Sequence, residues 1–142
     1  MEKHMKLPRN KYGNNKKIVN GVKFDSELEL HCYNMLNIFK IEFEFQKSML
    51  LMEKFKYDGK SIRETTAIVD FVIHHNSRTI YLDTKGFATE VSKIKYKMLK
   101  YILKDKGNTQ VVWLHSKKEV NSFLLNLKEE ENVNNQQSNI AW

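Results

Sequence analysis

The chain predicts a mixed α/β domain, with a central β-sheet flanked by helices. Three observations predict it. Apolar residues recur first with helical spacing, then with the period-two alternation of strands, then in a helix–strand–helix order. Strong turn signals separate the strands. At 142 residues and 41% hydrophobic content the chain can bury one real core.

The elements follow in order. Residues 1–15 read as a flexible basic arm, residues 16–130 as a single domain and residues 131–142, rich in Asn and Gln, as a disordered tail. Lys16 to Phe24 predicts a hairpin about Asn20-Gly21, the strongest two-residue turn signal. Ser26 opens a helix to about Phe39, with Leu28, Cys32, Met35, Leu36 and Phe39 on its apolar side. Ile41 to Gln46 and Met49 to Tyr57 read as two strands, the second ended by Asp58-Gly59. Thr65 to His74 and Arg78 to Lys85 read as a further hairpin, with His75 in its turn. A helix follows from about Thr89 to Lys104, its apolar face predicted at Val91, Ile94, Met98 and Ile102. Gln110 to His115 is a strand, expected to pair in parallel with Arg78 to Lys85 through a right-handed crossover. Lys117 to about Glu130 is a last amphipathic helix through Val120, Phe123, Leu124 and Leu127.

Charge points to a polyanionic partner. The formal net charge is +7 and the pI about 9.4, which favours nucleic acid first and an anionic surface second. The excess is uneven: residues 1–23 carry seven basic groups against Glu2, while residues 129–142 carry three acids and no base. The single cysteine, Cys32, forbids an intrachain disulfide and suits a reducing compartment. No stretch approaches a membrane span, and the amino terminus has no signal-peptide core, so a cytoplasmic location is expected.

The chemistry is carried by two acids in strands that otherwise read as buried. They are Asp70, between Val69 and Phe71, and Asp83, in Leu82-Asp83-Thr84-Lys85. A two-residue Asn76-Ser77 loop sets Asp70 directly across from Asp83, and Lys85 shares the face of Asp83. Opposed residues have Cβ atoms about 4.5–5.5 Å apart, where like charges repel. A divalent cation removes that conflict, and Mg2+ (or Mn2+) suits one or two carboxylates plus phosphate oxygens. The Thr84 carbonyl offers a third ligand, and Lys85 is placed to stabilise charge or orient a water. Ser26 and Glu29 form a capping box; the alternative for Glu29, one turn into the helix, is a reach toward the metal. Gln46 is a weaker candidate. The five histidines show no zinc spacing with Cys32. Lys93, Lys97, Lys100 and Lys104 form a stripe on the helix after Gly86, and Lys95 adds a further charge; these lysines are candidate phosphate contacts.

Asp70, then Asp83-Thr84-Lys85, after a helix bearing Glu29, resembles the PD-(D/E)XK nuclease motif, with Val69 in the proline slot. Tyr12-Gly13-Asn14, Gly21 to Ser26, Tyr57-Asp58-Gly59-Lys60 and Lys85-Gly86-Phe87 extend the resemblance to a small phage-encoded branch, some of whose members resemble Holliday-junction resolvases. The resemblance runs from about Tyr12 to Leu114 and implies a restriction-endonuclease-like α-β-β-β-α-β core. It also implies metal ligands at Asp70 and Asp83, a catalytic lysine at Lys85 and a supporting acid at Glu29.

The expectation is therefore a Mg2+-dependent DNA endonuclease of phage origin, with branched DNA as the narrower substrate and DNA recombination as its setting. Resolution of a branch needs two nicks and predicts a homodimer. Its interface is expected at the last helix or the amino-terminal hairpin. The rivals are a non-catalytic nucleic-acid-binding module on the same fold, and an adaptor docking through the last helix.

Overall fold

The computed structural model describes residues 17–140; the expected arm at 1–15 lies outside them. The element order is β1 (Lys17–Val19), β2 (Val22–Phe24), α1 (Glu27–Ile38), β3 (Phe43–Met52), β4 (Phe55–Tyr57), β5 (Lys60–Ile62), β6 (Thr65–His75), β7 (Arg78–Thr84), α2 (Glu90–Leu103), β8 (Thr109–Leu114) and α3 (Lys117–Ile140). The central sheet runs β3-β6-β7-β8. Its first two pairings are antiparallel and β7–β8 is parallel. This is the expected mixed sheet, and α1-β3-β6-β7-α2-β8 reproduces the expected core order.

Helices cover both faces. Cys32 and Leu36 of α1 pack with Val120, Leu124 and Leu127 of α3 against Phe71, Ile73, Ile80 and Leu82. Leu99 and Leu103 of α2 close the other face over Val72 and Tyr81. Local chemistry fixes the turns. Asn20 and Gly21 take φ of 53° and 78°, and Asn76 and Ser77 take 49° and 62°, the positive pair that a two-residue hairpin loop demands. The Ser26 hydroxyl caps α1 by accepting from Glu29 N–H at 3.1 Å.

Five details differ from the sequence reading. The segments read as two strands, 41–46 and 49–57, are one long strand, β3, followed by a separate exposed hairpin, β4–β5, at Asp58-Gly59. The polar Lys47-Ser48 interrupts the alternation but not the backbone ladder. His75 ends β6 and is buried, rather than sitting in the turn. On α2, Val91 and Ile94 are exposed, and Leu99 and Leu103 supply the buried contact with Met98 and Ile102. Helix α3 continues to Ile140 where a disordered tail was expected from 131. Its apolar residues at Val120, Leu124 and Leu127 lie inside the core, so that face is not available as an interface.

The sheet also has a crease. Side chains two apart on a strand share a face, yet Phe71 and Ile73 pack toward α1 and α3 while Val69 and Ala67 pack toward α2. Strand β3 does the same: Phe43 and Phe45 lie on the first side, Met49 and Leu51 on the second. The switch falls at Asp70 in β6 and at Gln46 in β3. Gln46 carries φ of 53°, a local reversal within an otherwise extended strand.

Candidate active site

The site lies where the crease meets the β6–β7 seam. The two strands pair from His75↔Arg78 to Phe71↔Leu82, the register that the Asn76-Ser77 loop dictates. One step further this register sets Asp70 opposite Asp83, and there side chains replace the ladder. Asp83 Oδ1 accepts from Asp70 N–H at 2.9 Å. Asp70 Oδ2 accepts from Thr84 N–H at 2.8 Å and from the Thr84 hydroxyl at 2.9 Å. Each carboxylate thus takes the place of a carbonyl acceptor, and the strands part. Beyond this point β6 stays with β3 down to Thr65, while β7 stays with β8. Thr84 serves as a donor through its N–H and hydroxyl, where the sequence suggested a carbonyl ligand.

Glu29 reaches the same place from α1. It is 1% exposed, its Oε2 accepts from Asp25 N–H at 2.6 Å and its Oε1 from Gln46 Nε2 at 3.4 Å. The box is shifted: Glu29 satisfies the residue before the cap, rather than the cap itself. Its carboxyl also lies within the field of the Asp70 charge. Gln46 additionally donates to Lys23 carbonyl at 3.2 Å and ties the β1–β2 hairpin to the site. Gln46, Asp70 and Asp83 therefore occupy one row across the crease.

Burial governs the charge state of these acids. Asp83 is pushed from 3.8 up to about 7, by burial first and then by the Asp70 charge. Glu29 is pushed from 4.5 up to about 7 by the same two causes in the same order. Asp70 is also raised by burial, against the opposing effect of its Thr84 hydrogen bonds and of Lys85. All three acids thus resist ionisation, each through burial first, and Asp83 and Glu29 also through the Asp70 charge. Among the described residues, no three or more His, Cys, Asp or Glu side chains converge as a ready-made metal site. Cys32, nearby in α1, is fully buried, and burial raises its thiol well above the usual range, so it is a core residue as expected.

Between the parted strands and α2 opens a cleft of about 350 Å3. Asp83 and Lys85 line it from β7, Ala67 and Ile68 from β6, Ser92, Lys95 and Tyr96 from α2, and Trp113 from β8. Lys85 shares this side with Asp83, as expected; the Asp70 carboxylate is turned instead to Thr84. Tyr96 stacks on Trp113 at 4.3 Å and 7° between planes, and its hydroxyl donates to Val111 carbonyl at 3.3 Å. The Trp113 indole N–H is buried with no acceptor among the described residues. His115 Nδ1 donates to the Lys85 carbonyl at 2.8 Å and steadies the end of β7.

The lysines expected to act together separate. Lys95 enters the cleft, whereas Lys93, Lys97 and Lys100 lie on the exposed side of α2. Lys93 pairs with Glu90 at 3.2 Å, and Lys100 lies 4.4 Å over the Tyr96 ring. The sequence reading missed Tyr96 and Trp113. A signal for Trp113 was present, since it pairs with Asp83 in the β7–β8 register and parallel strands set side chains of paired residues on one face.

Residues 9–121 match the family described as "Protein of unknown function (DUF1064)". No curated protein and no solved structure matches the chain.

Proposed function

The chain belongs to that family, and from its site we infer a divalent-metal-dependent nuclease that hydrolyses DNA phosphodiesters. The observation that carries this reading is Asp83, at a cleft that also holds Lys85, interlocked with Asp70 behind it. A fold selected for stability alone would not bury two acids in adjacent positions and raise both of them.

The donor set fits Mg2+ or Mn2+. Asp83 commits Oδ1 to a backbone N–H, and its Oδ2 takes no hydrogen bond among the described residues. Mg2+ demands only one or two protein carboxylates and takes its remaining ligands from water and phosphate. Asp70 and Asp83 would hold it, with Glu29 supporting Asp70. Bound there, the ion supplies Lewis-acid polarisation of the phosphate and a more acidic water.

The remaining work falls to the chain. Thr84 and the Asp70 N–H fix the two carboxylates, so neither has to reorganise when charge develops. Lys85 offers an ammonium beside Asp83 to a non-bridging phosphate oxygen, or holds the attacking water in line. Tyr96 and Trp113 form a rigid aromatic wall that excludes solvent from the Asp83 side. Lys93, Lys97 and Lys100 offer contacts to flanking phosphates that carry no sequence information. The likeness to PD-(D/E)XK nuclease motifs supports the same reading, with phage origin and branched DNA as its narrower forms. Branched substrates require a dimer, for which the exposed β4–β5 hairpin, bearing Phe55, Tyr57 and Ile62, is a more accessible surface than α3.

The test is cleavage of duplex, flap, fork and four-way-junction DNA by wild type and Asp83→Asn, with Mg2+ and with chelator. Metal-dependent cleavage by wild type, reduced at least 100-fold by the substitution, is expected. Equal cleavage by both proteins rejects the assignment. Metal-independent binding without cleavage favours the rival binding module, which the basic surface would serve equally well.

A further inference from the structure

We propose that the cleft beside Asp83 seats the nucleotide adjacent to the cut, with Lys95 holding that nucleotide's phosphate. This rests on the nuclease reading and adds a substrate requirement to it: at least one unpaired nucleotide next to the scissile bond.

The first observation is an uncompensated cation. Lys95 is half-buried and lines the cleft with Lys85. Among the described residues it makes no ion pair, whereas Lys93 and Lys104 on the same helix are paired with Glu90 and Asp105. The sole acid lining the cleft is Asp83. A bound divalent ion would offset that charge and leave both ammonium groups facing an anion.

The second observation is an open strand edge. Asp70 N–H points toward β7, so by strand alternation the N–H groups of Ile68 and Thr66 point the same way. β7 has already left β6 at that level. Thr66 and Ile68 line the cleft, and their edge offers backbone donors to phosphate oxygens opposite the lysines.

The third observation is size and rim. A volume of about 350 Å3 lies at the small end of ligand pockets, which span about 300–1,000 Å3. It is of the size of one nucleotide unit. At its mouth Ile68 is 64% and Val91 62% exposed. Val91, uncovered on α2 at the rim of the charged cleft, suits the flat face of an unstacked base or a sugar. The same exposure explains why α2 keeps Val91 outside its packed face.

The experiment uses the full chain with Trp142→Phe, so that Trp113 in the cleft is the single tryptophan reporter. The probes are dithymidine with and without a 5′-phosphate, titrated in Ca2+ against this protein and against its Asp83→Asn form. Expected is quenching by both probes, with the phosphorylated one binding about tenfold tighter. Lys95→Ala and the milder Lys95→Gln should erase that preference, and Lys118→Ala, exposed on α3 outside the cleft, should keep it. A preference that survives both Lys95 substitutions overturns the proposal, as does the absence of binding in both backgrounds. If the preference depends on Lys95 but wild type cuts no DNA, the nucleotide seat stands and the nuclease reading falls.

Discussion

Replacing Asp83 by Asn should make the metal-free protein more stable at alkaline pH while abolishing its proposed activity. The magnitude follows from the raised carboxyl. A tenfold change in proton affinity is worth about 1.4 kcal/mol. Holding Asp83 at about 7 instead of 3.8 therefore costs the ionised fold roughly 4 kcal/mol, an upper figure because Glu29 and Asp70 share the same protons. The direction is set by linkage. A carboxyl whose proton is held more tightly in the fold than in the unfolded chain stabilises the fold fully below pH 3.8. That contribution is lost as pH rises to about 7. Asn keeps an oxygen for the Asp70 N–H, removes the ionisation and relieves its neighbours. In urea titrations with chelator, Asp83→Asn should exceed wild type by about 1–4 kcal/mol at pH 8 and by less than half of that at pH 5. That is a large share of the 5–15 kcal/mol typical of a folded domain. Saturating Mg2+ should narrow the gap at pH 8 by stabilising wild type alone. A variant no more stable than wild type at pH 8 would refute the claim that these buried acids oppose one another.

Two other outcomes can be measured. Ser26→Ala removes the hydroxyl that caps α1 and accepts from Glu29 N–H; it should cost about 1 kcal/mol in denaturant titration, by a similar amount at pH 5 and pH 8. Replacing Lys93, Lys97 and Lys100 together by Ala should weaken DNA binding and flatten its salt dependence. The slope of log K against log salt should fall by about 2 to 3, nearer 2 because Lys93 is already paired with Glu90.

The hairpin that brings the acids together was legible because its loop chemistry is local. Asn76-Ser77 fixes the register, and register alone places Asp70 against Asp83. The capping of α1 by Ser26 was equally local. The crease was not legible, because the odd-numbered residues of β3 are apolar on both sides of Lys47, at Phe43 and Phe45 and again at Met49 and Leu51, while the face they address reverses. Pattern reads alternation; it does not read which helix lies over each half. The same blindness assigned Val91 and Ile94 to the packed face of α2. Apolar character put them there, but the helix sits over the parted strands, and its first turns look into a cleft instead of a core. Glu29 could be read from sequence as cap or as site residue; the structure gives it both settings, a hydrogen bond from Asp25 N–H and the field of the Asp70 charge.

The parting of β6 and β7 explains why the acids are where they are. When two strands diverge, the donors at the fork lose their acceptors, and a buried N–H left unpaired costs about 1–3 kcal/mol. Asp83 meets that demand for Asp70 N–H, and Asp70 meets it for Thr84 N–H. The fork thus needs oxygen acceptors on structural grounds, and any carbonyl-bearing side chain of the right length would serve. Charge is the part that structure does not require, and it opposes folding in this buried row. Asn at either position would satisfy the fork without that cost. The two acids are therefore best separated from their structural duty by Asn, since Ala would remove acceptor and charge together and confuse a fork that opens wrongly with a site that has lost its metal. Retained stability with lost metal dependence in the Asn variants, set against stability lower by about 1–3 kcal/mol in the Ala variants, is the pattern this division of labour demands.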